Sequence, residues 1–167
     1  MDINKINTAY RNAWVGLLRI KETKLRISIL DQAHEAVDKG IHAGGAFSSV
    51  IPLVALYYGG YISYDAKQPT REGLDYFVLS KGHAVAALAS VYADLGFFDD
   101  SLLKNSRCCS SLLNGHPGPI LPGVPISTGP LGEGICVAEG FAKCASSVSC
   151  TTCTTSGCGF VVEALSR

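Results

Sequence analysis

The sequence predicts an α/β fold, with helices packed around a sparse parallel sheet. Three observations carry this. A short continuous apolar run, Tyr76-Phe77-Val78-Leu79, has the length and composition of a buried parallel strand. Before it, Leu25, Ile29, Ala33, Ala36 and Val37 recur at helical spacing. After it, an alanine-rich run from Ala84 to Leu95 stops at Gly96, as a packed helix with a glycine cap would.

In chain order, residues 7 to 22 are of mixed character and read as helical or frayed, with Trp14, Leu17 and Leu18 as anchors. A helix from about residue 22 to 39 follows, with Gly40 at its C-terminal cap. His42-Ala43-Gly44-Gly45 reads as a turn. Ser48 or Ser49 then caps a second helix that carries Pro52 in its first turn and ends at Gly59-Gly60. Polar residues from Ser63 to Asp75 form a loop before the strand. A capped helix begins at Asp99-Asp100, and residues 114 to 126, with four prolines, form a loop. Gly134, Ala138 and Ala142 then share one face of a last helix, which can approach another backbone closely.

The chain of 167 residues suits one domain with a sizeable core. Its formal net charge is zero, which argues against nucleic-acid or membrane-surface partners. The first residues lack the apolar run of a signal peptide, and no run approaches a membrane span, so a cytoplasmic location is expected. Six of the seven cysteines fall in two stretches, Cys108-Cys109 and Cys144 to Cys158, with Cys150 and Cys153 at C-x-x-C spacing. A zinc module, a disulfide and incidental thiols are all open readings of that spacing.

The chemistry-bearing residues lie in loops. Of four histidines, His42, His83 and His116 stand in glycine- or proline-containing turns, whereas His34 lies mid-helix and reads as structural or solvated. His83 follows the strand through Ser80-Lys81-Gly82, at the end of a strand where α/β folds place their ligands. Lys81 can be read as a solvated lysine. A third loop, Ser127 to Gly134, exposes backbone groups through its glycines.

Four motifs occur in order: His42-Ala-Gly-Gly-Ala-Phe-Ser, Phe77-Val-Leu-Ser-Lys-Gly-His83, Gly115-His116-Pro117, and Pro122-Gly-Val-Pro-Ile-Ser-Thr-Gly-Pro-Leu-Gly-Glu-Gly134. Together, over residues 25 to 143, they resemble the N-terminal, thiamine diphosphate-binding domain of transketolases. The likeness is closer to the separate N-terminal subunit of split transketolases, because the first motif reads His-x-Gly-Gly. The resemblance implies transfer of a two-carbon ketol unit between sugar phosphates, with thiamine diphosphate and Mg2+ as cofactors. It implies that His83 contacts the cofactor diphosphate and that His42 and His116 line the substrate channel as catalytic residues. It implies that Gly129 and Leu131 hold the aminopyrimidine ring. The implied partners are further copies in a homo-oligomer and a C-terminal transketolase subunit.

Residues 1–24 are expected to be a helical extension and 144–167 an aberrant Cys/Ser/Thr-rich tail. No aspartate follows Asp100, so the family's Asp/Asn ligands for Mg2+ are missing and no metal-binding residue is assigned. Residues 105–113 also look out of place. Local reading-frame shifts, leaving a truncated fold and a chain inactive alone, are therefore expected. The alternatives are a non-catalytic pseudo-enzyme and a genuinely diverged tail.

Overall fold

The computed structural model describes residues 3–36, 39–108, 111–144 and 161–163, with side chains for 7–36, 39–108 and 111–143. Val37, Cys150, Cys153 and the tail apart from 161–163 lie outside the described residues. Helix α1 runs unbroken from Ile3 to Glu35, so the two expected N-terminal segments are one helix. Only its second half is docked. Leu25, Ile29 and Gln32 are buried, whereas Trp14 and Leu17 stay 45% and 55% exposed. Those two residues are therefore not anchors, and Leu18 is where packing begins. The helix stops before residue 39. The Gly40 N–H donates back to Ala36 O, and Gly40 takes a φ of +62°, which glycine adopts without strain.

Helix α2 spans Ala43–Tyr58 and starts earlier than its serines suggest, with His42 as N-cap residue. The Ser48 and Ser49 hydroxyls instead donate to the Gly45 carbonyl within the helix, and Pro52 lies in the helix interior. Strand β1 (Tyr76–Val78) leads through Leu79 to Lys81 into a 3₁₀ turn, Gly82–Ala84, and directly into α3 (Val85–Leu95). Gly96, with φ +82°, caps α3 as expected. A short 3₁₀ helix, Asp100–Asn105, is capped by the Asp99 carboxylate, which accepts from Ser101 N–H. Helix α4 covers Glu133–Cys144 and strand β2 covers Val161–Glu163.

Side-chain alternation along β1 builds two layers. Phe77 joins the core of α1, α2 and α3, where Leu53, Val50, Leu88, Val91 and Tyr92 are buried. Val78 faces Ala138 of α4, and Tyr76 stacks on Phe141 with ring centroids 5.3 Å apart. In the core Tyr57 and Tyr92 share a hydroxyl contact of 3.0 Å, and Tyr92 donates on to Gly123 O. A polar seam fastens α1 to α3: Gln32 Nε2 donates to Ser90 Oγ at 2.8 Å and to Ala86 O at 3.2 Å. At its far end Lys21, Lys24 and Tyr58 all donate to Asp94. Burial pushes that carboxyl up, but the three donors outweigh it and hold its pKa at about 2.

Two expectations find a different picture among the described residues. The parallel sheet is not seen among the described residues: β1 pairs with β2 antiparallel, Phe77 opposite Val162. A parallel neighbour requires a second strand joined by a crossover, and the apolar segments on either side of β1 are spent as helices. Residues 105–108 and 111–113 are also not out of place. Ser106 is buried and donates to Leu103 O, and Leu113 is buried in the core. Their helical pattern fades because a 3₁₀ helix and turn satisfy this stretch with single hydrogen bonds rather than a repeating apolar face.

Candidate functional site

The loops that carry the sequence motifs converge where β1 ends. Leu79 presents its carbonyl beyond the strand, and Thr128 Oγ1 donates to it at 2.6 Å. Ser80 Oγ accepts from the Gly134 N–H at 3.1 Å, which ties the first turn of α4 to the same strand end. Lys81 is only 7% exposed, and its ammonium donates to Ser48 Oγ at 2.9 Å. The solvated-lysine reading is therefore wrong: Lys81 is a buried tie between the strand end and α2.

Missing side chains make the convergence possible. A β-carbon on Gly82 would lie 2.5 Å from Thr128 O and 2.6 Å from His116 Cδ2. One on Gly45 would lie 2.6 Å from His83 Cδ2, and one on Gly134 would lie 2.7 Å from Ser80 Cα. Such separations are far inside van der Waals contact. The Gly44-Gly45 pair, expected as a turn, is thus helical, and Gly45 provides clearance for the His83 ring.

All three loop histidines meet here. The His42 and His83 rings stand edge to face with centroids 5.4 Å apart. His116 reaches the backbone of Gly82, next to His83. Burial lowers the His83 pKa below its ordinary 6.5, and the neighbouring bases His42, Lys81 and His116 lower it further. The side chains gathered around His83, namely His42, Lys81 and His116, are all bases, a donor set suited to an anion. His83 also lies in the 3₁₀ turn that opens α3, at the helix end where the backbone dipole is positive. Gly129 and Leu131 sit on the adjoining turn. A β-carbon on Gly129 would meet open space, and Leu131 is 57% exposed, so this turn offers an uncovered apolar ledge. His34 is apart from the cluster and lines a groove of about 780 Å³ between α1 and α3.

The donor set separates two cofactor elements. The basic cluster fits a diphosphate. A divalent cation is not provided for: among the described residues no group of three or more His, Cys, Asp or Glu, the three histidines included, is placed so that it could hold a metal ion. Sequence reasoning overlooked Ser80, Lys81, Thr128 and Gly45. Their roles are hydrogen bonds and clearances between distant segments, which leave no periodic signal.

Comparison with known proteins gives a consistent result. Residues 21–159 match the family described as "Transketolase, thiamine diphosphate binding domain", so the match runs on past Lys143. Human transketolase is 38% identical over 128 residues, covering 75% of this chain and 20% of its own length. One subunit of the apulose-4-phosphate transketolase of Phocaeicola vulgatus is 34% identical over 131 residues, covering 78% of this chain and 46% of its own. Among solved structures, the transketolase of Campylobacter jejuni superposes with a TM-score of 0.70 at 36% identity, over 78% of this chain and 20% of that one. The chain therefore spans about a fifth of the length of the human and Campylobacter proteins, and under half of the Phocaeicola protein.

Proposed function

From the premise that the chain belongs to the transketolase family, within its thiamine diphosphate-binding domain, we propose that it forms the diphosphate-binding half of a two-carbon ketol transferase acting on sugar phosphates. The observation that carries this reading is the meeting of His42, His83 and His116, from three distant motifs, at the end of β1. Thiamine diphosphate, when bound, supplies the group that carries the two-carbon unit, and the protein binds and orients. His83 donates a hydrogen bond to a diphosphate oxygen, helped by the N-terminal turn of α3 and the surrounding bases. His42 and His116 face the sugar, where an imidazole can donate, accept or move a proton near neutral pH. Gly129 and Leu131 receive the aminopyrimidine ring on their open ledge. A C-terminal transketolase subunit completes the site, in line with the Phocaeicola relative, which is itself one subunit of a transketolase. The whole is a homo-oligomeric, cytoplasmic enzyme of pentose phosphate metabolism.

The metal donor set favours a second reading for the chain by itself: binding without turnover. Magnesium ligands have to come from outside the described residues, and no step above is routed through a cation. The two readings share one test. The ring-proton NMR signals of His34, His42, His83 and His116 are followed while thiamine diphosphate, thiamine and inorganic diphosphate are added. Saturable shifts centred on His83, at about millimolar ligand and with the diphosphate-bearing compounds only, are expected. His34 should not move. Equal shifts at all four histidines, or none, would overturn the assignment. Ketol transfer on adding a C-terminal subunit then separates the catalytic reading from the binding one.

A further inference from the structure

We propose that Arg107 is a positioning residue. It clamps the connection that carries His42 to the loop that carries His116, and so sets how these two histidines stand to each other. Their sugar-facing roles rest on the proposed function; the clamp itself does not.

The three clustered histidines are not held alike. His83 has a turn of its own, closed by the Ala84 N–H donating to Lys81 O at 2.9 Å. His42 and His116 stand in irregular connections, one just before α2 and one in the loop after residue 113. Arg107 reaches both. Its Nη1 donates to the Gly40 carbonyl, two residues before His42. The opposite edge of the same guanidinium lies along Gly115, the neighbour of His116. A β-carbon on Gly115 would stand 3.6 Å from Nη2, 3.8 Å from Cζ and 3.9 Å from Nε, ordinary packing distances. The backbone adds a third attachment, because the Arg107 N–H donates to Leu113 O at 2.7 Å. Arg107, His42, His83 and Gly115 also line one hollow of about 20 Å³. That is room for about one water, so the arginine closes the space beside the histidines and opens no ligand pocket there.

The backbone supports the same role. Arg107 has φ +61°, and among the described residues it is the only one other than glycine in the left-handed region. A long side chain is disfavoured there, whereas glycine enters freely. Such a conformation persists where its surroundings over-determine it, and residues of this kind gather at functional sites. Here the Leu113 bond fixes the backbone and the Gly40 bond fixes the side chain. The task also requires arginine. A planar guanidinium can donate from one edge while the other packs against a second segment. A lysine ammonium is a single point charge and can serve one of the two loops only.

The test follows the ring-proton signals of the four histidines in the full chain. Arg107→Gly keeps the left-handed backbone without strain and removes the guanidinium. The His42 and His116 signals should both shift or broaden while His34 stays in place, with far-UV circular dichroism verifying the fold. Arg107→Lys keeps a donor for Gly40 O but loses the packing along Gly115, so His42 should stay near its native position and His116 should move. Added guanidinium, against a sodium chloride control, should return both signals toward their native positions in Arg107→Gly. With a C-terminal transketolase subunit present, Arg107→Gly should lower kcat by about ten- to a hundred-fold at unchanged half-saturation in thiamine diphosphate. Unmoved His42 and His116 signals in Arg107→Gly, equal movement of all four histidines, or an unchanged kcat would each overturn the proposal. So would loss of the diphosphate response at His83 with His42 and His116 in place, which would make Arg107 an anion ligand. Absence of transfer in the native complex would sink the ketol-transfer reading, whereas the ring signals uphold or overturn the clamp without it.

Discussion

The helical side of the molecule and its loop side are stabilised in opposite ways. Between α1, α2 and α3 the chain is held by what is present: Leu25, Ile29, Val50, Leu53, Val91 and Tyr92 fill the space at helical spacing. At the end of β1 it is held by what is missing. Gly45, Gly82 and Gly134 omit β-carbons that would collide, and single hydrogen bonds from Thr128, Lys81 and the Gly134 N–H fix the loops. A core built by volume tolerates conservative exchange of one apolar residue for another. A site built by clearance has no such latitude, because the smallest added side chain meets backbone at Gly82 and Gly134 and the His83 ring at Gly45.

Two substitutions can break or sharpen that contrast. Leu53→Ala empties fully buried volume and should cost about 2–5 kcal/mol, the larger effect, seen as a lower midpoint in urea. The ring signals of His42, His83 and His116 should keep their positions, since no loop contact is altered. Gly82→Ala should cost less, about 1–3 kcal/mol. It should nevertheless displace the His116 signal strongly, because the new methyl must push Thr128 O or the His116 ring aside. Equal disturbance of the histidine signals by both substitutions would show that core and site are not separable.

The same division explains what could be read from the sequence. Strand β1, helix α3 with its Gly96 cap, and the end of α2 at Gly59 follow from apolar runs and glycine stops, and the structure has all three. The start of α2 was hidden, because Ser48 and Ser49 look like caps yet bond back to Gly45 O within the helix. The role of residues 105–108 and 111–113 was hidden for a related reason: Ser106 and Leu113 find their partners through a turn without a repeat. His42, His83 and His116 were legible as a set only through four motifs in order. The ties at Ser80, Lys81 and Thr128 are long-range pairings, and nothing local in the sequence announces them.

The smallest expected effect is also the most specific to the loop side. His83 has a depressed pKa because burial and its basic neighbours His42, Lys81 and His116 disfavour the imidazolium. In the unfolded chain the ring returns to about 6.5. The neutral form is therefore favoured by folding, and its contribution is fully present above pH 6.5. That contribution is lost as pH falls below 6.5 and through the lower folded value. His83→Gln, which cannot charge, should lose less stability between neutral and acidic pH than the native chain. Urea midpoints compared at the two pH values measure the difference, which should be smaller than the Gly82 effect. Inorganic diphosphate should act on the native chain alone, because an anion beside the ring favours its charged form and offsets the repulsion of the three bases. An identical pH slope in both proteins, or diphosphate protection that survives in His83→Gln, would mean that the bases gather at the end of β1 without holding an anion there.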